Sequence, residues 1–186
     1  MEITKTLYVA DRKKWRAWLR KHYRTEKDIW LVYFRKETGK PRIAYGDAVE
    51  EALCFGWIDS TVKKLDDERF AQRFSPRNPK TKYSQTNKER LRRLIADGKV
   101  MKDVLARMDD LAEEAFVIPP DILKALKANK EAWKNFRKFP PEYRRIRISY
   151  IDHARKRPEE FNKRLGNFIT RTEMNEQFGF DIRKFY

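Results

Sequence analysis

Cysteine is nearly absent from this chain: Cys54 stands alone among 186 residues, so no disulfide can form within it. Histidine is scarce too, with only His22 and His153, and neither lies near Cys54 in sequence. One thiol and two imidazoles at such spacings argue against a structural zinc site. They also leave no Cys–His pair to read as an activated nucleophile. Glycine numbers only 6, and neither GxGxxG nor the P-loop pattern GxxxxGK followed by Ser or Thr occurs. No apolar run nears the roughly 18 residues that suggest a membrane span. The N-terminal residues lack the apolar stretch of a secretory signal. The expectation is a cytoplasmic protein with no metal, no cofactor and no membrane span.

Charge and aromatic residues are plentiful. Charged residues make up 39% of the chain and the net charge is +16. Residues 1–80 carry 19 basic and 12 acidic groups, and residues 81–186 carry 25 and 16. The excess is therefore spread along the chain and forms no single tail. A field of this sign favours anionic partners, although solubility alone also accounts for it. With 12 Phe, 8 Tyr and 5 Trp there is enough apolar surface for a core, so global disorder is excluded.

The first eighty residues read as α+β. Thr6–Val9 has the look of a short strand, and Asp11 can cap a helix running to about His22. Trp15, Trp18 and Leu19 fall on one face of that helix. The unbroken run Ile29–Phe34 predicts a central strand covered on both sides. A helix over about 45–55 follows, with Ala48, Val49, Ala52 and Leu53 as its stripe and Gly56 as its end. Residues 57–65 and 68–76 read as a hairpin across Asp66-Asp67-Glu68. Within it, Phe70, Gln72 and Phe74 alternate with Arg69, Ala71 and Arg73.

Beyond Lys80 the period becomes helical. Thr86 to Glu89 forms a capping box, and Val100–Leu111 repeats the apolar spacing. Asp121 can cap one helix running on towards Phe136, Pro140-Pro141 opens another, and Pro158 begins a last short one. The expected architecture is α+β: a small, mainly antiparallel sheet with packed helices over residues 1–80, then an all-helical C-terminal region over 81–186.

Chemistry-bearing residues cluster at the hairpin. If its strands pair simply, Asp59 lies roughly across from Arg73. A carboxylate near Arg69 and Arg73 reads either as a structural ion pair or as part of an anion site. The segment Arg73-Phe74-Ser75-Pro76-Arg77 is basic and stiffened by proline, which suits either a phosphate grip or a plain linker. Lys134, Arg137, Lys138, Arg144, Arg145 and Arg147, interleaved with aromatics, have the make-up of a nucleic-acid surface. The same aromatics also fit a core stripe. Cys54, next to Leu53 on a helix stripe, reads as a buried structural thiol.

The stretches Glu51-Ala-Leu-Cys-Phe-Gly-Trp-Ile-Asp-Ser60, Leu65–Arg69 and Gln72–Arg77 resemble the YdeI/OmpD-associated family, also labelled bacteriocin-protection. Ser84–Gly98, Pro120–Leu126, Ala132–Phe136 and Pro140–Tyr150 resemble it as well. The resemblance is densest around Glu51–Arg77 and weakens after Tyr150. It implies a stress-protection role without an established reaction. The ligand-site candidates it yields are Trp57, Asp59, Arg69, Arg73, Ser75 and Arg77. The reading is a non-enzymatic binding protein for an anionic small molecule, peptide or protein. The alternatives are a nucleic-acid-binding protein and an unrecognised enzyme with Asp59 as base.

Overall fold

Asp11 accepts a hydrogen bond from the Lys14 backbone N–H at 2.9 Å, and helix α1 spans Arg12–His22 behind it. The carboxylate thereby satisfies an amide that the first turn leaves without a partner. The computed structural model describes residues 2–108 and 116–179, which fall into two compact units, and α1 belongs to the first. That unit holds strands β1 (Thr6–Tyr8), β2 (Ile29–Phe34), β3 (Trp57–Lys64) and β4 (Arg69–Pro76), and helix α2 (Tyr45–Cys54). The strands form one sheet in the order β1-β2-β4-β3. β1 runs parallel to β2, and the other two pairings are antiparallel. The expected α+β architecture is therefore present.

β2 lies inside the sheet, flanked by β1 and β4, which is why its sequence is apolar at every position. Ile29, Leu31 and Tyr33 join the core under the helices, and Trp30 and Val32 on the reverse face are buried too. Trp15 and Leu19 of α1 and Ala48, Val49, Ala52 and Leu53 of α2 fill the other side of that core. Burying each large apolar side chain contributes roughly 1.5–3 kcal/mol. The Trp15 indole keeps its N–H satisfied by donating to the Ala48 carbonyl at 3.0 Å.

Helix α3 (Gln85–Ala96) adds Leu91 and Leu94 to the same core, and Tyr83 is buried beside them. The first unit therefore extends well past Lys80, where the sequence suggests a boundary, because α3 buries its stripe on the sheet's own core. Ser84, not Thr86, caps α3, accepting from the Asn87 N–H at 3.3 Å. Thr86 sits inside the first turn. The periodic stretch from Val100 forms only a short helix, α4 (Lys102–Leu105), and residues 109–111 lie outside the described residues.

The second unit contains α5 (Pro120–Ala128), α6 (Lys130–Lys138), α7 (Pro141–Asp152) and α8 (Pro158–Glu173), and no strand follows Pro76 among the described residues. The single helix expected from Asp121 to Phe136 is two. Asn129 is extended and caps α6 through a 2.9 Å bond from the Ala132 N–H. Asp121 lies in the first turn of α5 instead of capping it, and binds Arg155 at 2.8 Å. Pro158 opens α8 as its first residue, but the helix runs 16 residues and is not short. Ile122, Leu126, Phe136, Ile148, Ile151 and Phe168 form the centre of this unit's core.

Candidate functional site

The hairpin does not gather Asp59 with the arginines. Register places Asp59 opposite Phe74, one residue away from Arg73. Directly opposed residues share a sheet face, so Asp59 lies on the face of Phe74, away from Arg69 and Arg73. Asp59 accepts a 2.7 Å hydrogen bond from the Tyr45 hydroxyl. Burial raises the Tyr45 pKa, and the carboxylate beside it raises it further. Between Asp59 and Val62 the β3–β4 register shifts.

Each arginine of β4 has its own carboxylate. Arg73 donates from Nε and Nη2 to Asp28 Oδ2 at 3.0 and 2.8 Å, and from Nη1 to the Ser75 hydroxyl at 3.2 Å. Thr4 donates to the other Asp28 oxygen at 2.7 Å. Partial burial pushes the Asp28 carboxyl up, but the Thr4 and Arg73 hydrogen bonds outweigh it and leave the pKa below its ordinary value. Arg69 pairs with Asp66 of the turn, Nη2 to Oδ2 at 2.6 Å, in an exposed position. Both arginines thus spend donors on carboxylates of the protein itself, which is the structural ion-pair alternative.

Two of the six candidates, Trp57 and Arg77, do meet at a cavity. α2 ends at Cys54 and the chain turns through Phe55 and Gly56 into β3. Gly56 adopts a φ of +71°, and an added Cβ would lie 3.3 Å from Val104 Cγ1 of α4. The Met101 N–H donates to the Cys54 carbonyl at 3.0 Å, fixing the chain before α4 against this turn. Tyr23, Phe55, Gly56, Trp57, Tyr83, Val104 and Met108 supply the aromatic and apolar wall of a cleft of about 540 Å³. Arg24, Arg77 and Arg107 line it with guanidinium groups.

Trp57 is buried, and its indole N–H donates to the Tyr23 carbonyl at 3.1 Å, which holds the ring at the back of the cleft. Arg77 lies over the Tyr83 ring, 3.7 Å from the centroid, and donates through Nη2 to the Thr81 carbonyl. Arg24 and Arg107 both pair with Asp103, at 2.9 and 3.2 Å, and the Tyr23 hydroxyl donates to the same carboxylate at 3.1 Å. Partial burial pushes Asp103 up, but its bonds from Arg24 and Tyr23 prevail and hold its pKa below the ordinary carboxylate value. Sequence reasoning missed Arg24, Arg107 and Asp103. The usable signal was Gly56, a glycine at a helix-to-strand turn against which another segment can close.

Two other groups resolve plainly. Cys54 is buried, and desolvation together with the nearby Glu51 charge pushes its thiol up to about 11. The basic set of the second unit does not form one surface. Lys134, Arg137 and Lys138 of α6 are exposed, Arg144 and Arg145 of α7 are half-buried, and Arg147 is buried. Among the described residues no cluster of His, Cys, Asp and Glu could hold a metal ion. No described helix is long and apolar enough to cross a membrane.

Fold and site together define a sheet-containing unit with an aromatic, arginine-bearing cleft, joined in sequence to a helical unit. The chain belongs to the family described as a domain of unknown function (DUF8412), whose model matches residues 7–107, more than half of the chain. Residues 115–175 match the model of the family described as bacteriocin-protection, YdeI or OmpD-associated. That second match covers the helical motifs from Pro120 to Tyr150. The Glu51–Arg77 stretch, which carries the densest resemblance in the sequence, falls under the first model instead. No curated protein and no solved structure gives a significant match.

Proposed function

We propose that this is a non-catalytic binding protein whose first unit takes an anion with a flat or apolar body into the cleft at Trp57 and Arg77. The observation that carries this reading is the combination of an aromatic wall with Arg24, Arg77 and Arg107 around one cavity. Guanidinium groups recognise carboxylate and phosphate, while the rings cover the rest of a ligand. The family description of the helical segment, bacteriocin protection, is in keeping with capture of a ligand. An enzymatic role for Asp59 draws less support, because Asp59 is hydrogen-bonded to Tyr45 and is not part of the cleft wall. A cytoplasmic setting belongs to the same reading.

Calorimetric titration with benzoate and with phenyl phosphate tests it. Arg24 and Arg107 side chains are 66% and 72% exposed, so replacing both by Ala leaves the fold intact. The double variant should bind at least about tenfold more weakly, the value of one or two charge-assisted bonds. Equal affinity in the two proteins overturns the assignment.

A second reading, nucleic-acid binding, draws on the exposed Lys134, Arg137 and Lys138 of α6 and on the net charge of +16. Its signature is an affinity for single- or double-stranded nucleic acid that falls steeply with salt. Replacing the three by Gln should flatten that slope, and an unchanged slope removes this reading.

A further inference from the structure

In the second unit, Arg147 of α7 is only 5% exposed, yet no carboxylate pairs with it among the described residues. Its Nε–H is buried without a hydrogen-bond partner among the described residues. The guanidinium instead lies against rings, 4.3 Å from the Phe178 centroid, 4.9 Å from Tyr150 and 5.9 Å from Phe168. Ring faces offset part of a desolvated positive charge but do not replace a counter-ion. Burial lowers the Arg147 pKa, the Tyr143 and Tyr150 hydroxyls oppose that shift, and the nearby Arg164 charge adds to it.

This guanidinium is not sealed in the core. It lines a cleft of about 410 Å³ together with Tyr150, Lys163, Arg164, Asn167 and Glu160. Glu160 is the carboxylate on that wall, and it is engaged by Arg164 Nε at 2.6 Å. Arg164 also donates from Nη1 to the Tyr150 carbonyl at 2.8 Å, which fixes it at the rim. Phe178 and Gly179 line the same cleft. Gly179 has a φ of +81°, and a Cβ there would collide with Arg147 Nη1. Among the described residues the wall therefore carries three cationic side chains and one carboxylate already in use.

We propose that this cleft is an oxyanion site of the helical unit, separate from the cleft at Trp57. Arg147 supplies the counter-charge at its base, and Lys163 and Asn167 supply further donors at its rim. The ligand carries a carboxylate or phosphate head, and its apolar part lies along Tyr150 and Phe178. Occupancy answers two otherwise costly features that Arg147 has among the described residues, a buried charge with no paired carboxylate and an Nε–H without a partner.

The test is thermal melting of the full chain in inorganic phosphate or acetate, against chloride at matched ionic strength. At about 100 times the dissociation constant, the bound anion should raise the melting temperature by roughly 5–10 °C, with saturation. Arg147→Met, which keeps the length and loses the charge, should abolish the rise. Asn167→Glu, at an exposed position, should melt higher than the parent in chloride and no longer respond. The Arg24→Ala/Arg107→Ala protein should respond in full, which separates this site from the first cleft. A larger rise with phosphate assigns a phosphoryl head, and a larger rise with acetate assigns a carboxylate. No saturable rise in the parent overturns the proposal, and so does an equal rise in Arg147→Met. Should Arg147→Met fail to fold, an unchanged response in Asn167→Glu overturns it instead.

Discussion

Arg73 and Asp28 are joined by two hydrogen bonds, at 3.0 and 2.8 Å, that tie the middle of β4 to the residue preceding β2. Both side chains are less than one-fifth exposed. Arg73→Met should therefore cost stability, about 2 kcal/mol, because it leaves a half-buried carboxylate with fewer partners. Affinity for small anions should not change. Denaturant unfolding and anion titration of the same variant check both halves.

The same pair gives a pH dependence with a definite sign. The folded Asp28 carboxyl titrates below its ordinary value of 3.8, so the folded state prefers the ionised form. Its contribution to stability is complete above that value and is lost as pH falls through the lowered folded pKa. Arg73→Met should reduce the loss of stability between about pH 4 and pH 2 relative to the parent. Parallel acid-unfolding curves would contradict this.

Asp103 restrains the two exposed guanidiniums of the first cleft. Asp103→Asn removes their shared counter-charge and should strengthen anion binding by about three- to tenfold. Stability should fall slightly, by at most about 1 kcal/mol, since these ion pairs are largely exposed. Weaker anion binding in this variant would show that Asp103 orients the arginines more than it competes for them.

Cys54, with its thiol pushed up to about 11, should resist labelling in the native protein at neutral pH. A disulfide reagent should react at the rate of local opening and at full speed only in denaturant. Prompt native labelling would return Cys54 to the list of nucleophile candidates.

Gly56→Ala should cost about 1–3 kcal/mol, from the positive φ and from the close approach to Val104. Adding Val104→Ala should recover only the steric part. A Gly56→Ala protein as stable as the parent would contradict the observed turn.

The strands were legible because their patterns are strong: β2 is apolar throughout, and β4 alternates. The relation between Asp59 and Arg73 was not, because it depends on a single residue of register. One step moves a side chain to the opposite face, and the shift between Asp59 and Val62 defeats counting back from the turn. Arg12 and Arg16 of α1 lie off the apolar stripe of Trp15 and Leu19. They engage Asp47, Glu50 and Glu51 of α2, a meeting that only tertiary packing produces. The break at Asn129 carried a signal, an asparagine able to cap, but no proline or glycine drew attention to it. Arg24 and Arg107 reach one cleft from distant parts of the chain, and no local pattern records that.

The sheet's margins bear on crowding. One margin is β1, which is three residues long and offers few amides to a neighbour. The other is β3, broken by its register shift and ending in Lys63 and Lys64. Short, kinked and lysine-bearing borders repel strand-by-strand addition of further copies. The sheet of this aromatic-rich chain thus offers further copies little edge to extend into a fibre.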